Sequence, residues 1–144
     1  MEPWQTALLH TARVARLATV DPAGQPHVVP IVFVYDGGRL FTPLDAKPKH
    51  VPASQLRRVR NLAANDRAAV VVDHYDEDWQ QLAWVQIRGR AALLADGDEY
   101  AAGLALLRQK YPQYATLSLA GRPLIRITVA QVRGWRAAPP GEAT

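Results

Sequence analysis

The sequence predicts a mainly β fold of the α+β class, in which an antiparallel sheet is flanked by helices. Two observations predict it: strand-like segments with apolar alternation follow one another across short turns, and amphipathic helical segments interrupt them only occasionally. About six strands and about three helices are indicated. A sheet of this size protects its edges best by closing into a barrel. The length of 144 residues favours one domain, predicted over residues 1–137, with a flexible tail over residues 138–144.

The first half of the chain is predicted to contain a helix and three strands. Apolar residues at helical spacing favour a helix over residues 4–12. Alternating or β-branched runs favour strands over residues 14–20, 27–35 and 39–42, joined by the turn sequences DPAG and DGG. Pro30 lies within the second strand, and because proline has no N–H we expect an edge strand or a bulge there.

The second half is predicted to contain two helices and three strands. Ser54 is a suitable N-cap for a helix over residues 54–64, and Asp96 or Asp98 for a helix over residues 96–111. Strands are predicted over residues 68–73, 82–94 and 123–135. Gly89 interrupts the long middle strand and predicts a bulge or a close backbone approach.

Composition excludes several classes of function. Cysteine is absent, so disulfides and thiolate metal sites are excluded, and a reducing cytoplasm is the expected compartment. No signal peptide or membrane span is indicated. The four histidines lack metal-ligand spacing, so no metal site is predicted. Nucleophile-elbow, GxGxxG and P-loop motifs are not found. The net charge of +4 comes largely from clustered cations, which suit a small polyanion better than a nucleic acid.

Three groups of residues are candidates for a binding site. The first is a cation cluster suited to a phosphate, comprising Lys47, Lys49, Arg57, Arg58 and Arg60. A solvated helix face is the alternative. The second group is Val29, Pro30 and Ile31 with Thr42, on strands expected to be neighbours, where an unpaired backbone carbonyl near Pro30 would suit a flat heterocycle. The alternative is a proline tolerated at an edge.

The third group is aromatic and consists of Tyr75, Trp79, Trp84 and Trp135. Such side chains could cover a ring system or fill a dimer interface. Packing in the core or at an interface is the alternative.

Two segments in order, RLATVDPAGQPHVVPIVFVYDGGRLFTP and RRVRNLAANDRAAVVVD, resemble the pyridoxamine 5′-phosphate oxidase-like split-barrel flavoproteins. The pieces ATVDPAGQPHVVP, KPK, VDHYDEDW, WVQIRGRA and KYPQY are most similar to the branch that uses a deazaflavin, coenzyme F420. The resemblance covers residues 4–135. The sequence lacks the C-terminal Arg-x-His with which the oxidases of this family hold pyridoxamine, and this argues against vitamin B6 oxidation.

The resemblance implies a six-stranded split β-barrel of the FMN-binding type. It also implies a homodimer that holds a cofactor in each groove between its subunits. Val29, Pro30 and Ile31 would run beside the ring, and Thr42 would contact the ring or its side chain. Arg58 would bind the phosphate, assisted by Lys47, Lys49 and Arg57. Trp79, Trp84 and Trp135 would reach the groove from the partner subunit.

The resulting prediction is a cytoplasmic oxidoreductase that transfers hydride from a reduced deazaflavin to a small conjugated acceptor. The cofactor carries the electron chemistry, so no catalytic side chain is assigned. One alternative is an FMN-dependent enzyme of the same fold, which would need fewer cations. The other is a non-enzymatic protein that binds a flavin or a tetrapyrrole.

Overall fold

The computed structural model describes residues 1–44 and 56–137, which form three α-helices and seven strands. The helices are α1 (Pro3–Thr11), α2 (Arg57–Ala64) and α3 (Asp98–Lys110). The strands are β1 (Ala15–Val20), β2 (Pro26–Ile31), β3 (Val34–Tyr35), β4 (Arg39–Pro43), β5 (Arg67–His74), β6 (Ala83–Leu94) and β7 (Leu124–Arg136). The predicted cap Ser54 and the predicted tail lie outside the described residues.

The strands form one antiparallel sheet in the order β2-β1-β5-β6-β7-β4-β3. Its two end strands, β2 and β3, are nevertheless consecutive in the chain and are joined by Val32 and Phe33 alone. Since so short a link cannot span a flat sheet of seven strands, the sheet must curl until its ends meet. The predicted antiparallel, barrel-like sheet is confirmed.

The predicted number of six strands is wrong because the strand predicted over residues 27–35 is two strands. β2 pairs with β1, whereas Val34 and Tyr35 pair with β4. At the break between them, the buried hydroxyl of Tyr111 accepts a hydrogen bond from the Phe33 N–H at 3.1 Å. It also lies 3.0 Å from the Phe33 carbonyl oxygen and 2.9 Å from that of Arg13, and donates its proton to one of them. Tyr111 thus replaces the missing ladder contacts.

The core has two parts, one inside the curled sheet and one outside it. Inward-facing residues of β1, β5, β6 and β7 pack with α1 and α2. Helix α3 packs instead on the outer side of β3, β4 and the start of β7, where Phe41, Leu104, Leu107 and Leu124 are buried. The inner cluster fills the barrel, and α3 covers only one section of its outer wall.

Gly89 lies at an irregularity in the β6–β7 ladder, as predicted. A Cβ atom at this position would lie 2.1 Å from the backbone oxygen of Thr128, so a larger residue would force the two strands apart.

The predicted N-cap of α3, Asp96 or Asp98, is wrong. The helix begins after Gly97, whose φ of +94° favours glycine. Asp98 lies inside the first turn, where its charge complements the helix dipole.

The outer side of β2, β1, β5, β6 and the second half of β7 is named here the outer face. Its residues follow from the strand register and include Val28, Pro30, Arg16, Ala18, Val71, Asp73, Trp84, Gln86, Arg133 and Trp135. Helices α1 and α2 pack on the opposite side of these strands.

Within residues 1–44 and 56–137, no helix is both long and apolar enough to cross a membrane. The cytoplasmic location stays a prediction.

Candidate functional site

A cavity of about 170 Å³ lies where the two ends of the curled sheet meet. One wall comes from β2 and the break that follows it, and the other from the end of β4, with α2 at one side. The lining residues are Val14, Pro30, Ile31, Val32, Thr42, Pro43 and Arg58. The structure therefore brings together four of the predicted site residues, Pro30, Ile31, Thr42 and Arg58.

Pro30 lines this cavity, and its backbone carbonyl is directed away from the neighbouring strand. Hydrogen-bonded and non-hydrogen-bonded pairs alternate along an antiparallel ladder. Asp21 donates to Gln25 at the turn, so the alternation places the Arg16–Pro30 pair in the non-hydrogen-bonded class. The carbonyl of Pro30 consequently points away from β1. Because β2 is an edge strand, the predicted edge position of Pro30 is confirmed.

Thr42 lines the opposite wall and carries a buried hydroxyl. The residue is fully buried, and its Oγ1 has no hydrogen-bond partner among the described residues. A buried hydroxyl left unsatisfied costs about 1–3 kcal/mol. Such an atom beside a cavity is the arrangement expected of a group that bonds to a ligand.

Arg58 is the cation that the described structure places at the cavity. It is half-buried in the first turn of α2. Asn61 follows one turn later on the same side of the helix. It is buried and donates from Nδ2 to Thr19 Oγ1 at 3.0 Å. This contact fixes α2, and with it the backbone of Arg58, against β1.

The other predicted cations do not join Arg58 in the described structure. Arg57 and Arg60 are exposed and do not line the cavity. Lys47 and Lys49 lie outside the described residues. The proposed anion pocket is therefore represented by Arg58 alone among residues 1–44 and 56–137.

Val29 and the aromatic group also lie away from the cavity. Val29 packs against the inner core and does not line the cavity. Trp79 is 67% exposed in a short 3-10 helix, Trp79–Gln81, between β5 and β6. Trp84 and Trp135 face each other across β6 and β7 and are both exposed. The alternative that Trp79, Trp84 and Trp135 pack in the core of the chain is therefore wrong.

Sequence reasoning missed Val14, Val32, Pro43 and the role of Tyr111. Val14 and Val32 are ordinary strand-like residues with no local signal. Tyr111 belongs to the KYPQY segment quoted for the resemblance, but its contact with Phe33 joins residues 78 positions apart. Burial raises the pKa of Tyr111, so its hydroxyl keeps the proton that it donates at neutral pH.

The family described as pyridoxamine 5′-phosphate oxidase matches residues 1–136. The chain belongs to this family. The predicted membership in the pyridoxamine 5′-phosphate oxidase-like superfamily is therefore confirmed.

Within the described residues, no three side chains of the metal-ligating kind lie close enough together to hold a metal ion.

A reductase of Streptomyces rimosus, named for 5a,11a-dehydrotetracycline and 5a,11a-dehydrooxytetracycline, is 37% identical over 83 residues. These residues make up 57% of this chain and 56% of the reductase. The chain therefore spans just over half the length of this curated relative.

Solved structures of the oxidase-like fold resemble the chain along most of its length. An FAD-binding protein from Mesorhizobium loti has a TM-score of 0.72 at 24% identity and covers 96% of each chain. An F420 reductase has a TM-score of 0.67 at 23% identity, covering 92% of this chain and 98% of its own. The haem storage protein HutZ from Vibrio cholerae has a TM-score of 0.73 at 18% identity, covering 94% and 93%. At these identities the likeness establishes the split-barrel fold.

Proposed function

We propose that the protein is an oxidoreductase that uses a reduced deazaflavin, coenzyme F420, to transfer hydride to a small conjugated acceptor. The observation that carries the proposal is the cavity between β2 and β4. It combines an outward backbone carbonyl at Pro30, a buried hydroxyl at Thr42 without a partner in the described chain, and a half-buried cation at Arg58.

These three groups fit a phosphorylated ring cofactor. The Pro30 carbonyl would accept a hydrogen bond from a ring N–H, and the Thr42 hydroxyl would bond to the ring or its side chain. Arg58 would bind the phosphate, for which a guanidinium is well shaped. Ile31, Val32 and Pro43 would exclude water from the ring. When bound, a reduced flavin or deazaflavin supplies the hydride.

The names of two similar proteins support this choice of reaction. The Streptomyces rimosus relative is a reductase named for dehydrotetracyclines, and one structural neighbour is an F420 reductase. FMN is the alternative cofactor, since an FAD-binding protein also shares the fold. Among the described residues the cavity carries one cation, Arg58, which would suit the phosphate of either cofactor. The name of the F420 reductase neighbour is what favours the deazaflavin.

Storage of a tetrapyrrole is the non-enzymatic alternative, and the haem storage protein shares the fold. Haem iron is held by histidine, cysteine, methionine or tyrosine. None of these residues is among those that line the cavity. The lining therefore favours a flavin-type ring over haem.

We further propose that two copies of the chain complete each site. A cavity of about 170 Å³ is smaller than the roughly 300–1,000 Å³ of typical ligand sites. Pro30, at the edge of the cavity, belongs to the outer face, which carries exposed Val28, Trp84 and Trp135. A second copy packed on this face would supply the missing wall. Trp79 would then contact the cofactor bound to the partner.

The decisive experiment titrates the purified protein with coenzyme F420 and, separately, with FMN, following fluorescence. Arg58→Ala is expected to raise the dissociation constant by about tenfold or more, the loss typical of a charged hydrogen bond. Arg57→Ala removes a neighbouring, exposed cation and is expected to change it less than about twofold. An unchanged affinity in Arg58→Ala would remove Arg58 from the site. Tighter binding of FMN than of F420 would replace the cofactor proposed.

A further inference from the structure

A second cavity, of about 430 Å³, lies between α1, β3 and α3. It shares no lining residue with the cavity between β2 and β4. Its walls are formed by His10, Val34, Tyr35, Leu106, Gln109 and Lys110. The volume is within the usual range for a small-molecule site.

Lys110 lines this cavity from α3, and its amine is buried beside it. Its Nζ is buried and has no hydrogen-bond partner among the described residues. It lies 3.9 Å from the centre of the Phe33 ring and 5.5 Å from that of Tyr111. Arg108, another cation in the last turn of α3, is exposed, so complementing the helix dipole does not require burial.

The charged and titratable groups around Lys110 leave its charge uncompensated. Arg13 approaches from the segment before β1 and stacks on the Tyr111 ring at 4.4 Å. His10 faces the cavity from α1 and Tyr35 from β3, and no carboxylate lines it within the described residues. Burial, and secondarily repulsion from Arg13, lower the pKa of Lys110 from 10.5 to about 8. The two aromatic rings offset only part of the cost of burying an ammonium.

The remaining walls are flat or apolar. The rings of His10 and Tyr35 are 5.9 Å apart and tilted by 43°, and Val34 and Leu106 add apolar surface. Gln109 offers an amide. We propose that this cavity binds a small planar carboxylate, whose body lies between the His10–Tyr35 rings and Leu106. The Lys110 amine turns from the Phe33 ring towards the cavity and pairs with the anionic group.

Benzoate is the probe for this site, and its binding can be followed by NMR chemical shifts at pH 7. Lys110→Met keeps the length of the side chain and removes the charge, and we expect it to weaken benzoate binding by about tenfold or more. Arg108→Met is the matched control on the same helix and is expected to bind within about twofold of the unmodified protein. Benzyl alcohol, a neutral analogue, is expected to bind at least about tenfold more weakly than benzoate. Equal binding of benzoate by Lys110→Met, or of benzyl alcohol by the unmodified protein, would overturn the proposal.

A second measurement uses only the unmodified protein and remains informative if Lys110→Met perturbs packing. The chain has three lysines, Lys47, Lys49 and Lys110, so ¹³C-lysine labelling gives few signals. The Lys110 signal is expected to titrate near pH 8 and to move to higher pH when benzoate saturates the site, because a paired carboxylate favours the ammonium. Benzoate binding should accordingly weaken as the pH rises above that midpoint. A midpoint unmoved by benzoate would contradict the site. Neither measurement depends on the flavin-type cofactor, so the two proposals can fail separately.

Discussion

Thr42 combines two properties that oppose each other in the free chain. Its β-branched side chain suits a strand and is fully buried. Its hydroxyl, however, has no hydrogen-bond partner among the described residues. The hydroxyl therefore lowers the stability of the free protein while offering a bond to a ligand. A substitution that removes only the hydroxyl can therefore separate its effect on stability from its effect on ligand binding.

Thr42→Val replaces the hydroxyl with a methyl group of similar size. We expect the free energy of unfolding of the free protein to rise by about 1 kcal/mol, because an unsatisfied polar group is removed. Affinity for the cofactor should fall by about fivefold, since one hydrogen bond is lost. Thermal unfolding and fluorescence titration measure the two effects, and Thr42→Ser, which keeps the hydroxyl, should retain the affinity. Unchanged cofactor affinity in Thr42→Val would exclude this hydroxyl from the site.

Helix α3 is held to the sheet by an ionic network. Glu99 accepts hydrogen bonds from Arg39 of β4 at 2.9 Å and from Arg126 of β7 at 2.7 Å. Arg39 also pairs with Asp36 at the preceding turn. One carboxylate thus links the helix to two neighbouring strands, and α3 in turn positions Tyr111 at the break beside the cavity.

The network gives the stability of the protein a predictable dependence on pH. The hydrogen bonds from Arg39 and Arg126 lower the pKa of Glu99 below 4.5. The stability that Glu99 contributes is therefore fully present above the unfolded-state pKa and is lost as the pH falls through the folded-state value. Glu99→Gln should lower the urea midpoint at pH 7, and the difference from the unmodified protein should shrink as the pH falls below 4.5. High salt should also reduce it. A difference that does not vary with pH would show that charge is not what Glu99 contributes.

At the scale of the whole molecule, the proposed dimer is the consequence of a sheet face that α1 and α2 leave uncovered. Trp84→Glu places a charge in the middle of that face and is expected to convert the dimer to a monomer at micromolar concentration, as measured by light scattering. Leu117→Glu changes an exposed apolar residue outside the face and should leave the dimer intact. A monomeric unmodified protein would contradict the shared site.

The parts of the fold that local chemistry controls were predictable from the sequence. Pro30 indicated an edge strand and Gly89 an irregularity, because each residue constrains its own backbone. The break at Val32 and Phe33 was not predictable, since a run of β-branched and aromatic residues is typical of an unbroken strand. The contact that stabilises this break comes from Tyr111, far along the chain. The expectation that Pro30 and Thr42 lie on neighbouring strands is wrong for the same reason, because β2 and β4 do not pair. The two residues do lie near each other, but across the cavity rather than in a shared ladder.

The Tyr111 contact also bears on the order in which the protein is made. All residues that line the cavity between β2 and β4 lie between Val14 and Arg58, and they leave the ribosome before α3 does. The hydroxyl that satisfies Phe33 is synthesised more than 50 residues after Arg58. A nascent chain therefore carries every lining residue well before Tyr111 can hold them in place, and the proposed cofactor would bind only once synthesis has passed α3.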